Sequence, residues 1–342
     1  MSSSSRPSGG SDRSLRSHRE PSETSETLDV AILRSWVDEG RALIGFDPRN
    51  SPERIARHLN VGPATVRRRL KMWRSQGFLL GFDVLPNPGL LGGRLAARQL
   101  EFGSSIAQEK AVRPLSLIDG MVQIEPSRTT LLAVYFVESN SQSERRLKQF
   151  QAIEGVREVG PEWSFEFPSC SRRMSRADWR LVLALRRRPE AKLAELAAET
   201  GQSLRTTSRR YDALLDEGAI IFDPVWDWSR FRRTLAVLSA TVDRPELRER
   251  TVREIQAMHP GSIRSWGLRL TDQEGESVSL YLTVTAPASS ELDQLAARVA
   301  HLPGVSQVRL WYGHSTLLVP SWLTERIETA LKAEGTVGQA SR

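Results

Sequence analysis

Two basic segments carry the residues best suited to chemistry. In Pro63-Ala64-Thr65-Val66-Arg67-Arg68-Arg69-Leu70-Lys71-Met72-Trp73, the apolar Val66, Leu70 and Trp73 recur at helical spacing. Burying them turns Thr65, Arg67, Arg68 and Lys71 outward, near the N-terminal half of the helix. Further on, a core of Tyr211 and Leu214 leaves Arg205, Thr206, Ser208 and Arg209 outward in the same way. Arginine and lysine so placed can pair with guanine edges or phosphates when the start of a helix enters the major groove of DNA. One such helix equals a solvated charged face; two of them favour contact with double-stranded DNA. Arg172, Arg173, Arg176, Arg180, Arg186, Arg187 and Arg188 add charge that could neutralise phosphates without reading sequence, or could simply be solvated.

Other chemistries lack their residues. His18, His58, His259, His301 and His314 show no metal-ligand spacing and no local carboxylate partner. Neither a phosphate-binding Gly-Lys-Ser/Thr loop nor a dinucleotide fingerprint occurs, so the expectation is a binder and not an enzyme, with no cofactor and no metal. Cys170 is the single cysteine, which excludes an internal disulfide and suits a reducing cytosol, where it serves as inert filling. A net charge of +7 in 342 residues favours a polyanionic partner. No apolar run approaches membrane-helix length and no hydrophobic leader opens the chain, which predicts a cytoplasmic protein without a membrane partner. Trp36, Trp73, Trp163, Trp179, Trp266 and Trp311 fall in helix or strand patterns, so core packing is expected of them before base stacking.

The elements that must position these residues repeat along the chain. Leu59-Asn60-Val61-Gly62-Pro63-Ala64-Thr65-Val66-Arg67-Arg68-Arg69 recurs at constant offset as Thr200-Gly201-Gln202-Ser203-Leu204-Arg205-Thr206-Thr207-Ser208-Arg209-Arg210. Residues 1–27 are polar and charged with a lone Leu15, and read as a disordered tail. A helix with Ile32, Leu33 and Trp36, a loop over 41–50, a short helix opened by Ser51-Pro52-Glu53, the basic helix, and an apolar hairpin over 78–86 make a winged helix-turn-helix over 28–88. The plan returns over 175–230. Between and after them, 94–168 and 233–320 run strand, helix, strand, strand, helix, strand, the split βαβ order. The first has strands at 95–102, 121–125, 130–138 and 156–167; the second has them at 235–242, 262–270, 278–285 and 305–318. The fold class is therefore α+β: two winged helix-turn-helix heads alternating with two ferredoxin-like βαββαβ modules.

With these residues in hand, each unit resembles the Lrp/AsnC (feast/famine) family of regulators. Leu28-Asp29-Val30-Ala31-Ile32-Leu33, Ile55-Ala56-Arg57-His58-Leu59 and Gln76-Gly77-Phe78-Leu79-Leu80-Gly81-Phe82 resemble its DNA-binding head in order and spacing. Leu196-Ala197-Ala198-Glu199-Thr200-Gly201 and Glu217-Gly218-Ala219-Ile220-Ile221 resemble it again. The resemblance implies a transcriptional regulator whose RAM/ACT-like modules dimerise and sense a small molecule such as an amino acid. It also implies a homo-oligomer, or a dimer supplied within one chain. The family's Gly-x-Tyr-Asp turn is absent: Glu125-Pro126-Ser127-Arg128-Thr129 and Thr271-Asp272-Gln273-Glu274-Gly275-Glu276 stand in its place, which counts against an amino acid. Siroheme decarboxylases resemble the same head-plus-module plan and are the alternative reading. Ser262-Ile263-Arg264-Ser265-Trp266 lacks their His-Asn-Tyr-Arg stretch, which favours the regulator.

Overall fold

The computed structural model describes residues 28–33, 35, 48, 51–165, 167–259, 263–264, 268–269, 278–313 and 316–337. The tail to Thr27, most of the 41–50 loop, Trp36, Trp266, His18 and His314 lie outside the described residues.

The first head comprises α1 (28–33), α2 (Ser51–His58), α3 (Pro63–Ser75) and the strand β1 (Leu79–Pro86). Asn60, at φ 51°, turns the chain out of α2, and Pro63 opens α3 where a missing N–H costs nothing. Module 1 follows with β2 (Arg94–Phe102), α4 (Ser105–Ser116), β3 (Met121–Ser127), β4 (Thr130–Val137), α5 (Asn140–Gln151), β5 (Val156–Val159) and β6 (Trp163–Phe165). Ser104 and Ser139 cap α4 and α5 by accepting backbone N–H bonds from Ala107 and Gln142. Both β5 and β6 pair with β2, β2 pairs with β4, and β4 with β3, the ferredoxin-like order. One face of this sheet buries Leu100, Tyr135 and Leu115 with Phe150 from the helices.

The second head is α6 (Arg176–Arg187), α7 (Leu193–Thr200), α8 (Leu204–Asp216) and β7 (Ile220–Trp226). Ser175 and Asp178 form a reciprocal capping box at the start of α6. Module 2 has β8 (Thr234–Val242), α9 (Arg248–Met258), β9 (Ile263–Arg264), β10 (Leu268–Arg269), β11 (Val278–Ala286), α10 (Ser289–Val299) and β12 (Val305–Tyr312), in sheet order β12, β8, β11, β9. A strand β13 (Leu317–Leu318) and a helix α11 (Pro320–Val337) end the described chain. Two heads and two ferredoxin-like modules thus alternate along it. Among the described residues no helix is long and apolar enough to cross a membrane.

Four strands differ from the sequence expectation, the first being 156–167, which is broken into β5 and β6. The segment 78–86 does not fold on itself as a hairpin; β1 runs straight and pairs with β7 of the other head. Their register sets Phe82 opposite Pro224, Asp83 opposite Asp223 and Val84 opposite Phe222. No turn dipeptide interrupts 79–86, and Gly81 serves a register shift instead of a reversal. The expected strand 262–270 is split: β9 pairs with β11 of its own module, whereas β10 pairs with β6 of module 1. The expected strand 305–318 is also split, because β13 leaves module 2 to pair with β3.

Packing follows the pairing. The two heads share one core in which Trp73, Phe78 and Trp226 meet, with Phe78 stacked on Trp226 at 4.7 Å between ring centroids. Leu323 and Ile327 of α11 are buried in the same core, against α6 and module 1. The sheet faces turned away from the helices pack on each other through Ala97, Val134 and Trp163 of module 1 and Trp311 and Val237 of module 2. Trp163 and Trp311 lie 5.1 Å apart. Arg309 bridges this seam to Glu101 and Glu158, each at 3.6 Å.

Candidate nucleic-acid interface

Residues of α3 and α8 divide by what lies beneath them. Val66 and Trp73 are buried on one helix, and Thr207, Tyr211, Leu214 and Leu215 on the other. Arg67, Arg68 and Lys71 are exposed and Thr65 is half-buried; Arg205 and Arg209 are exposed, with Thr206 and Ser208 half-buried. Each expected set therefore lies together on the outer face of one helix. Arg67 is ion-paired to Glu53 of α2, and Ser208 bonds Asp212 at 3.4 Å.

The next arginine in each helix is turned inward. Arg69 reaches Asp29 of α1 at 3.5 Å, and Arg210 reaches Asp178 of α6 at 2.9 Å. Burial opposes the charge on Asp178. Hydrogen bonds from the Ser175 backbone and hydroxyl, then from Arg210, together with the charge of Arg172, outweigh that and hold the carboxyl below its ordinary range. An aspartate on the first helix of each head thus fixes the third helix through an arginine.

Most of the arginines around α6 are structural. Arg172 binds Asp178 at 3.3 Å and Glu217 at 2.6 Å. Arg186 is buried between the heads, donating to the Val84 carbonyl at 2.5 Å and lying 3.3 Å from Asp83. Arg187 and Arg188 pair with Glu199, and Arg188 also with Glu195. Arg173, Arg176 and Arg180 remain exposed. Trp73, Trp163, Trp179 and Trp311 are buried, in keeping with core packing.

One titratable cluster escaped the sequence reading. Asp83 and Asp223, opposed across β1 and β7, gather with Glu125 of β3 where the heads meet module 1. Burial, then the charges of Asp83 and Glu125, push Asp223 up to about 7. Burial also raises Asp83, against the opposing pull of Arg186, and raises Glu125, against its hydrogen bond from Gln123. The shared Phe-Asp of Phe82-Asp83 and Phe222-Asp223 was a signal for this pairing. Among the described residues no three His, Cys, Asp or Glu side chains converge on a metal position.

Residues 174–221 match the family of winged helix-turn-helix DNA-binding domains, a span that holds α6, α7, α8 and the start of β7. The chain therefore contains a winged helix-turn-helix of the DNA-binding class. No curated protein sequence matches the chain. In three dimensions it is similar to the siroheme decarboxylase NirDL in complex with an iron-uroporphyrin III analogue: 12% identity over 90% of this chain and 98% of that one, with a TM-score of 0.51. It is also similar to AsnC of E. coli, at 16% identity over 43% of this chain and 96% of that one, with a TM-score of 0.26. The transcriptional regulator NMB0573 of Neisseria meningitidis, solved with L-Met, shares 14% identity over 43% of this chain and 90% of its own, at a TM-score of 0.30. The likeness to NirDL, which spans both chains, overturns the expectation that the protein is not an enzyme: an enzyme has this fold from end to end.

Proposed function

We propose that the protein binds double-stranded DNA through its winged heads and regulates transcription in the manner of Lrp/AsnC regulators. The observation that carries this reading is the match of 174–221 to a DNA-binding winged helix-turn-helix, in a chain whose third head helices keep arginine on their outer faces. Arg68, Lys71, Arg205 and Arg209 are the residues assigned to DNA, with Thr65, Arg67, Thr206 and Ser208 beside them. The modules are the place for a small-molecule effector and for further self-association, and the cytoplasm is the compartment. The test is a titration of the full chain against labelled duplex at several salt concentrations: binding that weakens steeply with salt supports the reading, and none at low salt rejects it.

A second reading has its own observation. NirDL is like this chain along its whole length and is a siroheme decarboxylase, so an enzyme acting on an iron tetrapyrrole is a reading of comparable weight. Incubation with iron-uroporphyrin III, followed by gel filtration and absorption spectroscopy, tests it. A co-eluting tetrapyrrole band favours the enzyme; a protein peak without one removes it.

A further inference from the structure

The two heads share a frame and differ in charge. Ile55 and Ala56 of α2 and Val66 of α3 are buried, as are Leu196, Ala197 and Thr207 at the same offset in α7 and α8. On the outer faces of that common frame the residues at equivalent positions change sign, lose positive charge or gain negative charge. Arg54 corresponds to Glu195, His58 to Glu199, Arg67 to Ser208, Lys71 to Asp212, Ser75 to Asp216 and Gln76 to Glu217. Over 51–76 the first head has seven Arg and Lys residues against one acid; over 192–217 the second has four against five. Three of these acids are ion-paired, Glu199 and Glu195 with Arg187 and Arg188 and Glu217 with Arg172, as Arg67 of the first head is with Glu53, while Arg173, Arg176 and Arg180 stay exposed at α6, away from α8 in sequence. Arg205 and Arg209 share their groove with Asp212, Asp216 and Glu217, whose carboxylates face the same space.

Phosphate binding scales with the number of phosphates that cations neutralise, and a carboxylate beside an arginine cancels its contribution. We infer that DNA binding is one-sided: the α2 and α3 face of the first head carries most of the duplex contacts, and the second head, braced across the β1–β7 ribbon, adds weaker ones because acids crowd its Arg205 and Arg209. This rests on the DNA-binding reading above. It also separates two properties of the second head. The spacing of its buried residues is what a winged helix-turn-helix needs for its fold, whereas the charge of its outer face sets its affinity for DNA.

The experiment compares four full-length variants by fluorescence anisotropy on a labelled mixed-sequence duplex across a sodium chloride series, each checked for an unchanged melting temperature. Lys71→Asp, which gives the first head the residue of the second, is expected to weaken binding by about 10-fold or more and to lower the slope of log K against log salt by about 0.9. Asp212→Lys, the reverse exchange, is expected to tighten binding by about 3-fold or more and to steepen that slope. Arg68→Ala is expected to lose several-fold more affinity than Arg209→Ala. Equal losses for Arg68→Ala and Arg209→Ala, with no gain from Asp212→Lys, overturn the one-sided arrangement while leaving DNA binding intact. A wild-type chain that binds no duplex at low salt instead removes the functional reading itself, and the inference with it.

Discussion

Arg68 and Arg69 are neighbours in sequence and have opposite surroundings, one in solvent and the other held by Asp29; Arg209 and Arg210 repeat the contrast. Helical periodicity separates them, since Arg69 and Arg210 fall three residues after the buried Val66 and Thr207, but the partner that holds each one, an aspartate on another helix, is not contained in the period. Removing that aspartate leaves cations facing a dry head core. Asp178→Asn is expected to lower unfolding free energy by about 2–4 kcal/mol in urea titrations at neutral pH. Because its carboxyl is held below the ordinary range when folded, the wild-type contribution is present above the pKa of an unfolded aspartate and is lost as pH falls through the lower folded value. The variant's deficit should accordingly shrink in strong acid, and a deficit constant with pH would refute the charge pairing. Asp223 has the opposite sign. Its folded pKa near 7 exceeds that of an unfolded aspartate, so the folded state holds the extra proton and stability declines as pH rises from about 4 to about 7. Asp223→Asn should remove that decline and raise the melting temperature at pH 8, with little change at pH 4; a lower melting temperature at pH 8 would refute it.

Elements with many residues at one period were legible, and short ones were not. The helices of both modules and the strands β2, β3, β4, β8 and β11 fall within a few residues of the expected limits, because strands such as β4 alternate between the helix side (Leu131, Ala133, Tyr135) and the other sheet (Leu132, Val134). The two-residue strands β10 and β13 have no period to read, and which sheet they join is set by tertiary packing. Helix α11 was missed for a different reason. Leu323, Ile327 and Leu331 recur every four residues after Pro320, a usable signal, but the repeat offered no counterpart behind the first module to suggest an element there. The structure gives that helix a joining role, with Ile327 fully buried among head and module residues. Ile327→Ala is expected to cost about 2–5 kcal/mol, measured by chemical denaturation. Loss under about 1 kcal/mol would mean that α11 is not seated in the core.

At the scale of the whole molecule, the repeat foretold two similar units, and beside the strands β10 and β13 and the helix α11 the structure joins them by two further devices. One is the ribbon in which β1 and β7 pair with Asp83 opposite Asp223, equivalent residues of the two heads, so the pairing is nearly self-complementary, as in a two-fold dimer. The other is the seam between sheets, where Trp163 and Trp311 meet at 5.1 Å within an apolar patch rimmed by Arg309, Glu101 and Glu158. The rim pairs are partly exposed, so Arg309→Ala should cost no more than about 1 kcal/mol. The indole pair holds the seam. Each of Trp163→Ala and Trp311→Ala is expected to cost about 3–5 kcal/mol. If the two rings stabilise each other across the seam, the double variant loses their mutual contact only once, and its cost should fall short of the summed single costs by about 0.5–1.5 kcal/mol. Urea denaturation of the wild type, both single variants and the double closes that cycle. Strict additivity would mean that each tryptophan packs only within its own module, and that the two modules are held together by the heads, β10, β13 and α11 alone.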